Sequence, residues 1–103
     1  MLKLLEVHEK QFRTTMEKPD GTQSAAYETT YETRECLINS DYIVAVYPHE
    51  FRSNLTEEKV AACFPEGSKF STVVLNGNSF RKSEIIVLGS FDKVCRQIEE
   101  LKK

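Results

Sequence analysis

Polar, cationic and aromatic side chains are concentrated in one short stretch near residue 80. Asn78, Phe80, Arg81 and Lys82 fall within five consecutive positions. Arginine offers phosphate a planar bidentate fork, lysine adds a mobile charge, and asparagine can read a base edge or a ribose hydroxyl. Phe80, together with Phe70, provides a ring face for stacking. The stretch therefore predicts a site for a small anionic, nucleotide-like ligand; the alternative is that these charges only solvate a strand edge beside a turn.

Arg96 is the further candidate for this anion site, since it lies at the border of an apolar helical stripe. Its helical neighbours Asp92 and Glu100 can pair with it, which favours a solvated ion pair instead. Alternation along a strand separates the candidates near residue 80 into two faces. One of these faces carries the amide of Asn78, the ring of Phe80 and the ammonium group of Lys82.

The two histidines, His8 and His49, are the candidates for acid–base or metal chemistry. His49 and Glu50 are adjacent, but neighbouring strand residues point to opposite faces. We therefore interpret His49 as a surface histidine. The sequence contains no nucleophile motif, no phosphate-cradling glycine loop and no His-Glu-x-x-His motif. It predicts a protein that is not an enzyme and has no catalytic residues, metal site or cofactor.

Length, charge and cysteine spacing narrow the class of protein further. The chain of 103 residues is expected to be a single domain, and its formal net charge of −2 gives no basic footprint for duplex DNA. No segment approaches the roughly 20 apolar residues of a membrane span. Cys36, Cys63 and Cys95 fit no zinc or dithiol motif, and we predict that they are reduced and mostly buried in a cytoplasmic protein. We expect neither a membrane nor a duplex nucleic-acid partner.

The elements that must position the candidate residues are clearest in the last third of the chain. The stretch Phe70–Leu75 is β-rich, Asn76-Gly77 is a strong hairpin signal, and a second strand is predicted over Ser79–Leu88. Ser90 then caps an amphipathic helix over about residues 90–102. The apolar stripe of this helix consists of Phe91, Val94, Cys95, Ile98 and Leu101.

The N-terminal third predicts an exposed hairpin arm over about residues 10–35. Leu2–Glu9 suits a first strand, and Pro19-Asp20-Gly21 is a turn in which proline presets φ and glycine takes the left-handed position. The second strand would carry Tyr27 and Tyr31 on one face; a disordered loop is the alternative for so long and polar a segment. Because isolated hairpins are only marginally stable in water, the arm predicts a homo-oligomer in which it packs on a neighbouring copy.

The middle of the chain completes the predicted fold. Tyr42–Tyr47 is apolar on both faces, which predicts a central strand ended by Pro48. A short helix is predicted to begin at an Asn54 or Thr56 cap and to break at Pro65. The expected fold is α+β: an antiparallel sheet of about five strands, a short middle helix and a C-terminal amphipathic helix that covers one face.

Two segments of the chain resemble the short FlbD-like flagellar proteins. That family has an apolar-Asn-x-Asp-x-Ile segment, a Leu-x-Asn-Gly hairpin and a Glu-Ser-x-Asp-Glu-Val helix start. The similar residues here are 36–47, which include Asn39-Ser40-Asp41-Tyr42-Ile43, and 70–101, which include Leu75-Asn76-Gly77 and Ser90-Phe91-Asp92-Lys93-Val94. Gly89 stands where the family has Glu, and the short proteins lack both the arm and the 48–68 insertion. The resemblance implies the fold and no particular chemistry.

A strand-rich body with terminal helices is also similar in architecture to the oligomeric phage anti-Thoeris sponges, which sequester cyclic nucleotide-like signals. Our leading hypothesis is therefore a non-catalytic homo-oligomeric sponge for a small anionic ligand. The alternative is a protein-interaction adaptor of FlbD-like type that uses the arm and the 48–68 insertion. Single-stranded nucleic-acid binding is a third possibility, against which the acidic pI of about 5.7 counts. The predicted ligand-binding residues are Phe70, Asn78, Phe80, Arg81, Lys82 and Arg96.

Overall fold

The computed structural model describes residues 1–51, 54–76 and 83–101. The strands form one five-stranded sheet in the order β2-β1-β5-β4-β3, and all neighbouring strands are antiparallel. With its two α-helices, this architecture confirms the predicted α+β class. In chain order the elements are β1 (Leu2–Glu17), β2 (Gln23–Ile38), a 3-10 turn (Ser40–Tyr42), β3 (Ile43–His49), α1 (Asn54–Cys63), β4 (Phe70–Leu75), β5 (Glu84–Leu88) and α2 (Phe91–Leu101).

Strands β1 and β2 form the predicted hairpin arm. Their register pairs Leu2 with Ile38 and continues without interruption to the tip of the arm. At the tip, the N–H of Gly21 donates to the carbonyl oxygen of Lys18 at 2.9 Å, and Gly21 has the predicted left-handed φ of +86°. The first strand does not stop at Glu9 but runs on to Glu17.

The outer half of the arm extends beyond the rest of the sheet. Strand β5 pairs with β1 through Val87 and Glu6. In an antiparallel ladder this register places Glu84, the first residue of β5, level with Glu9. Within the described part of the chain, β2 is therefore the one strand neighbour of β1 beyond Glu9. The molecule measures 65 Å in its longest direction against 30 and 21 Å in the others.

Helix α2 covers one face of the sheet, which we call the α2 face. Val94 is fully buried there, and Ile98 packs against the same cluster. Phe91 and Leu101, two predicted members of the apolar stripe, are exposed instead. The buried cluster consists of Leu2, Leu4, Ile38, Val73, Leu75, Ile85, Val87 and Val94.

The link from β5 to α2 requires glycine at position 89. Gly89 has a φ of +144°, and a Cβ atom there would lie 3.3 Å from Cγ2 of Val94. A side chain is therefore disfavoured at this position. Ser90 then caps α2 as predicted, because its Oγ accepts the N–H of Lys93 at 3.2 Å.

The position of β3 corrects two expectations. The stretch Tyr42–Tyr47 was expected in the centre of the sheet, but β3 is an edge strand, and the central strand is β5. Val44 and Tyr47 are 68% and 56% exposed, so an apolar run does not always mean burial on both faces. Pro48 lies inside the strand, opposite Ser71, rather than ending it. An edge strand tolerates proline because one side of it needs no backbone donor.

The second face of the sheet, which we call the α1 face, carries Val7 and Ile86. Thr56 and Lys59 of α1 line a hollow over these two residues. Helix α1 is the short middle helix of the structure, and it ends at Cys63, before Pro65. The predicted return strand is confirmed over Glu84–Leu88, and residues 79–82 of it lie outside the described part of the chain.

Candidate functional site

Five aromatic side chains meet on the α1 face, and we call them the aromatic cluster. The ring centroid of Phe51 lies 4.8 Å from that of His49, 5.2 Å from that of Phe70 and 6.4 Å from that of Tyr31. The centroids of Phe64 and Phe70 are 5.3 Å apart. Most of these pairs are edge-to-face, the arrangement that the ring quadrupoles favour. The cluster joins β2, β3 and β4 to the segments on either side of α1.

The sequence patterns do not predict that these five side chains meet. They indicate Phe70 as a ligand residue, Tyr31 as part of the arm and His49 as a surface residue. Two members, Phe51 and Phe64, carry no prediction. A signal was present, since Phe51 and Phe64 flank the predicted helix at its two ends. Aromatic residues at both ends of a short, weakly amphipathic helix indicate how such a helix is anchored to a sheet.

His49 is half-buried in this cluster, whereas the sequence indicates a surface histidine. Its Nδ1 atom lies 3.0 Å from Oγ1 of Thr72, so one of the two groups donates a hydrogen bond to the other. Burial also raises the pKa of Tyr31, and the nearby Glu9 carboxylate acts in the same direction. The five side chains of the cluster are half-buried on this side of the sheet.

A groove of about 890 Å³ opens beside the aromatic cluster. Its walls are the end of β3, helix α1, the segment 64–70 and the first residues of α2. The charged side chains of its lining are three carboxylates, Glu50, Glu57 and Glu66, and one ammonium, Lys69. Like charges repel, so this lining disfavours an anionic ligand and favours a neutral or cationic one.

The structure describes two of the six residues of the predicted anion site, Phe70 and Arg96. The Phe70 ring packs against Phe51 and Phe64 on the groove, whereas Arg96 is exposed and does not line that groove. Arg96 follows Val94 by two residues, about 200° around the helix, so it faces solvent when Val94 faces the core. The structure does not bring Phe70 and Arg96 together. The other predicted ligand residues lie outside the described part of the chain, namely Asn78, Phe80, Arg81 and Lys82.

The outer half of the arm exposes three large apolar side chains. Phe12 is 41% exposed, Met16 is 59% exposed and Tyr27 is 75% exposed. Phe12 and Met16 share the face of β1 that also carries Leu2 and Leu4, because all four are even-numbered residues of one strand. Tyr27 lies on the opposite face, as its predicted alternation requires.

Nearer the base of the arm, charged residues occupy the face that carries Phe12 and Met16. The Nε2 atom of His8 lies 3.1 Å from Oε1 of Glu6, and Arg34 donates from Nε and Nη2 to Oε1 of Glu32 at 3.1 and 2.8 Å. The guanidinium of Arg34 lowers the pKa of Glu32. These pairs separate the buried core from the apolar side chains farther along the arm.

The cysteines show no arrangement for metal or redox chemistry. Cys36 and Cys95 are half-buried, while Cys63 is exposed at the end of α1, so the expectation of mostly buried cysteines is wrong for Cys63. Its Sγ atom lies 3.3 Å from Oγ1 of Thr30, which brings α1 against β2. Among the residues that the structure describes, no three His, Cys, Asp or Glu side chains are grouped as a metal site.

Comparison of the chain with family models, with curated proteins and with solved structures gives no match in any of the three. The resemblances to FlbD-like proteins and to phage sponges therefore stay predictions. In residues 1–51, 54–76 and 83–101, no helix is long and apolar enough to cross a membrane.

Proposed function

We propose that this protein is a non-catalytic binding protein that works as a homo-oligomer, with the hairpin arm as the contact between copies. The observation that carries the proposal is the outer half of the arm, which exposes Phe12, Met16 and Tyr27. A two-stranded ribbon is only marginally stable in water, and an unpaired strand edge is a template for another chain. A second copy beside the arm would complete its backbone hydrogen bonds and cover its apolar side chains.

Shortening the arm tests this proposal. Lys10 and Thr30 are paired, so replacing residues 11–29 with Asn-Gly closes a two-residue turn and leaves the rest of the sheet intact. We expect the mass measured by light scattering to fall to that of a monomer, while circular dichroism still shows a folded protein. Glu58→Gln, a change at an exposed position of α1, is the matched control. An unchanged mass would exclude the arm as the interface, and a monomeric parent would exclude the homo-oligomer.

The proposed ligand is a small anionic, nucleotide-like molecule, bound by Asn78, Phe80, Arg81 and Lys82 with Arg96 from the helix. Its support is the chemistry of these side chains in the sequence. Titration calorimetry against nucleotides and cyclic nucleotide signals is the test. Lys82→Ala and Arg96→Ala should each weaken binding by about 1.5–3 kcal/mol, the range for hydrogen bonds to charged groups. Lys3→Ala, at the base of the arm, is the control.

The alternative function is a protein-interaction adaptor. The observation that favours it is the acidic groove, since the 48–68 insertion supplies most of its walls and its charge does not suit a nucleotide. If the folded oligomer gives no heat of binding with any of the nucleotides or cyclic nucleotide signals, the result would favour the adaptor over the sponge. Binding of a nucleotide that is weakened by Lys82→Ala would favour the sponge.

A further inference from the structure

On the side away from β2, the outer part of β1 has no strand partner among residues 1–51, 54–76 and 83–101. The N–H of Lys18 donates to the carbonyl oxygen of Thr22 at 2.7 Å, and the residues of an antiparallel strand alternate in their bonding direction. Even-numbered residues of β1 therefore direct their backbone groups to β2, and Gln11, Arg13 and Thr15 direct theirs to the other side. Within the described part of the chain, β5 occupies that side only as far as Glu9.

The outer edge of β2 is less suited to pairing. Helix α1 lies against this strand at Thr30, whose Oγ1 is 3.3 Å from Sγ of Cys63. Farther out, the residues of β2 on the α2 face have small or charged side chains, namely Ser24, Ala26 and Glu28. On that face of the outer arm, the large exposed apolar side chains are on β1: Phe12 and Met16, on either side of Thr14.

Symmetry restricts how two such edges can meet. A two-fold axis between adjacent antiparallel strands stands perpendicular to the sheet, so residues on one face of the first copy meet residues on the same face of the second. An axis at Arg13 would place the two Arg13 side chains opposite each other. An axis at Phe12 would place Glu17 of one copy beside Val7 of the other, where β5 already lies. An axis at Thr15 would place Phe12 against Lys18, outside the strand.

An axis at Thr14 avoids these three arrangements. It places Phe12 of each copy opposite Met16 of the other. The interface therefore contains two equivalent Phe12–Met16 pairs, one on each side of the axis. Arg13 falls opposite Thr15, and these residues direct their backbone groups away from β2. Glu17 falls level with Gln11, so the added strand ends before it reaches β5.

We infer that two copies of this chain pair through the edge of β1 that faces away from β2, antiparallel, about a two-fold axis at Thr14. The inference rests on the proposed homo-oligomer and gives its interface and register. The two arms form one continuous four-stranded ribbon in the order β2-β1-β1-β2. The two bodies, with their grooves, lie at opposite ends of this ribbon.

A disulfide across the axis tests the register. Thr14 would face its own symmetry mate in a non-hydrogen-bonded pair, with Cα atoms about 4.5 Å apart, which is within the range that a disulfide spans. We would introduce Thr14→Cys into a Cys63→Ser background, because Cys63 is the exposed cysteine. Under mild oxidation this variant should become a covalent dimer on a non-reducing gel. The background protein and the matched control Thr15→Cys should stay monomeric on the same gel.

Each other outcome overturns the inference in a different way. Cross-linking of Thr15→Cys in place of Thr14→Cys would move the axis by one residue. Absence of cross-linking, with a parent that is dimeric by light scattering, would leave the homo-oligomer standing and place its interface elsewhere. A monomeric parent would reject the proposed homo-oligomer itself.

A charge exchange gives a second measurement that needs no cysteine. Phe12→Asp should raise the dissociation constant of the dimer about tenfold or more, because two cross-strand apolar pairs are lost at once. The double variant Phe12→Asp/Met16→Lys should recover most of that loss, since each Asp then lies opposite a Lys of the other copy. Within one copy, positions 12 and 16 are about 13 Å apart along the strand, too far to pair with each other. No recovery in the double variant would reject the Thr14 register.

Discussion

Nδ1 of His49 lies 3.0 Å from Oγ1 of Thr72, across the two strands at the β3 edge of the sheet. The register pairs His49 with Phe70 and Tyr47 with Thr72, so the contact is diagonal. It fixes the imidazole with its plane at 85° to the ring of Phe51. A polar contact between two strands thus orients a ring of the aromatic cluster and secures the end of β3, where the groove begins.

Thr72→Val should lower the free energy of unfolding by about 1 kcal/mol. Valine keeps the shape of threonine but leaves the imidazole without this partner, and about 1 kcal/mol is the usual net contribution of one hydrogen bond. Urea unfolding followed by circular dichroism is the measurement. Thr72→Ser keeps the hydroxyl and serves as the control. An equal loss in both variants would mean that the methyl group, and not the hydrogen bond, matters.

Ser71→Ala should have a larger effect. The Ser71 hydroxyl is fully buried and donates to the carbonyl oxygen of Gly89 at 2.8 Å. Its removal leaves that carbonyl with one acceptor site unused away from water, which costs about 1–3 kcal/mol. Ser68→Ala removes a similar bond, to the carbonyl oxygen of Pro65, at an exposed site. In parallel urea titrations the Ser68 variant should lose clearly less stability; equal losses would contradict the role of burial.

Ile98→Ala should destabilise the protein by about 2 kcal/mol, the lower end of the range for such core substitutions, because Ile98 is only partly buried. Leu101→Ala should change the stability by less than about 0.5 kcal/mol, since the Leu101 side chain is exposed. Thermal unfolding of the two variants in parallel is the measurement. If the Leu101 variant were the less stable of the two, the packing of α2 described above would be wrong.

Stability should fall at alkaline pH in part through Cys36. Burial raises the pKa of the Cys36 thiol above its ordinary value of 9.0, and the Glu6 carboxylate acts in the same direction. The folded state thus favours the neutral thiol: its contribution is complete below the unfolded pKa and is lost as the pH rises through the folded pKa. Urea midpoints between about pH 8 and pH 10.5 should fall less steeply for Cys36→Ala than for the parent. Equal slopes would contradict this assignment.

The local elements of this fold could be predicted from the sequence, because local chemistry determines them. Pro19-Asp20-Gly21 fixes a tight turn through proline geometry and the freedom of glycine, and the alternation on either side of it produces the arm. In the same way, the Ser90 hydroxyl and the spacing of Val94 and Ile98 predict a capped helix with one buried side. Each of these signals acts within a few residues.

The order of the strands was decided by tertiary structure. The apolar run Tyr42–Tyr47 predicts a strand, but whether that strand lies at the centre or at the edge depends on which elements pack beside it. That choice depends on the hairpin arm, whose first strand takes the place next to β5 and leaves β3 at the edge.

The aromatic cluster shows the same limit at the candidate site. His49, Phe51 and Phe70 belong to segments that no short-range pattern connects, and they meet because the sheet aligns the end of β3 with the start of β4. Side-chain chemistry alone grouped Phe70 with Arg96, which the fold keeps apart. Turn geometry and helical periodicity are encoded over a few neighbouring residues, whereas a site is encoded by contacts between distant residues that form only when the strands have found their order.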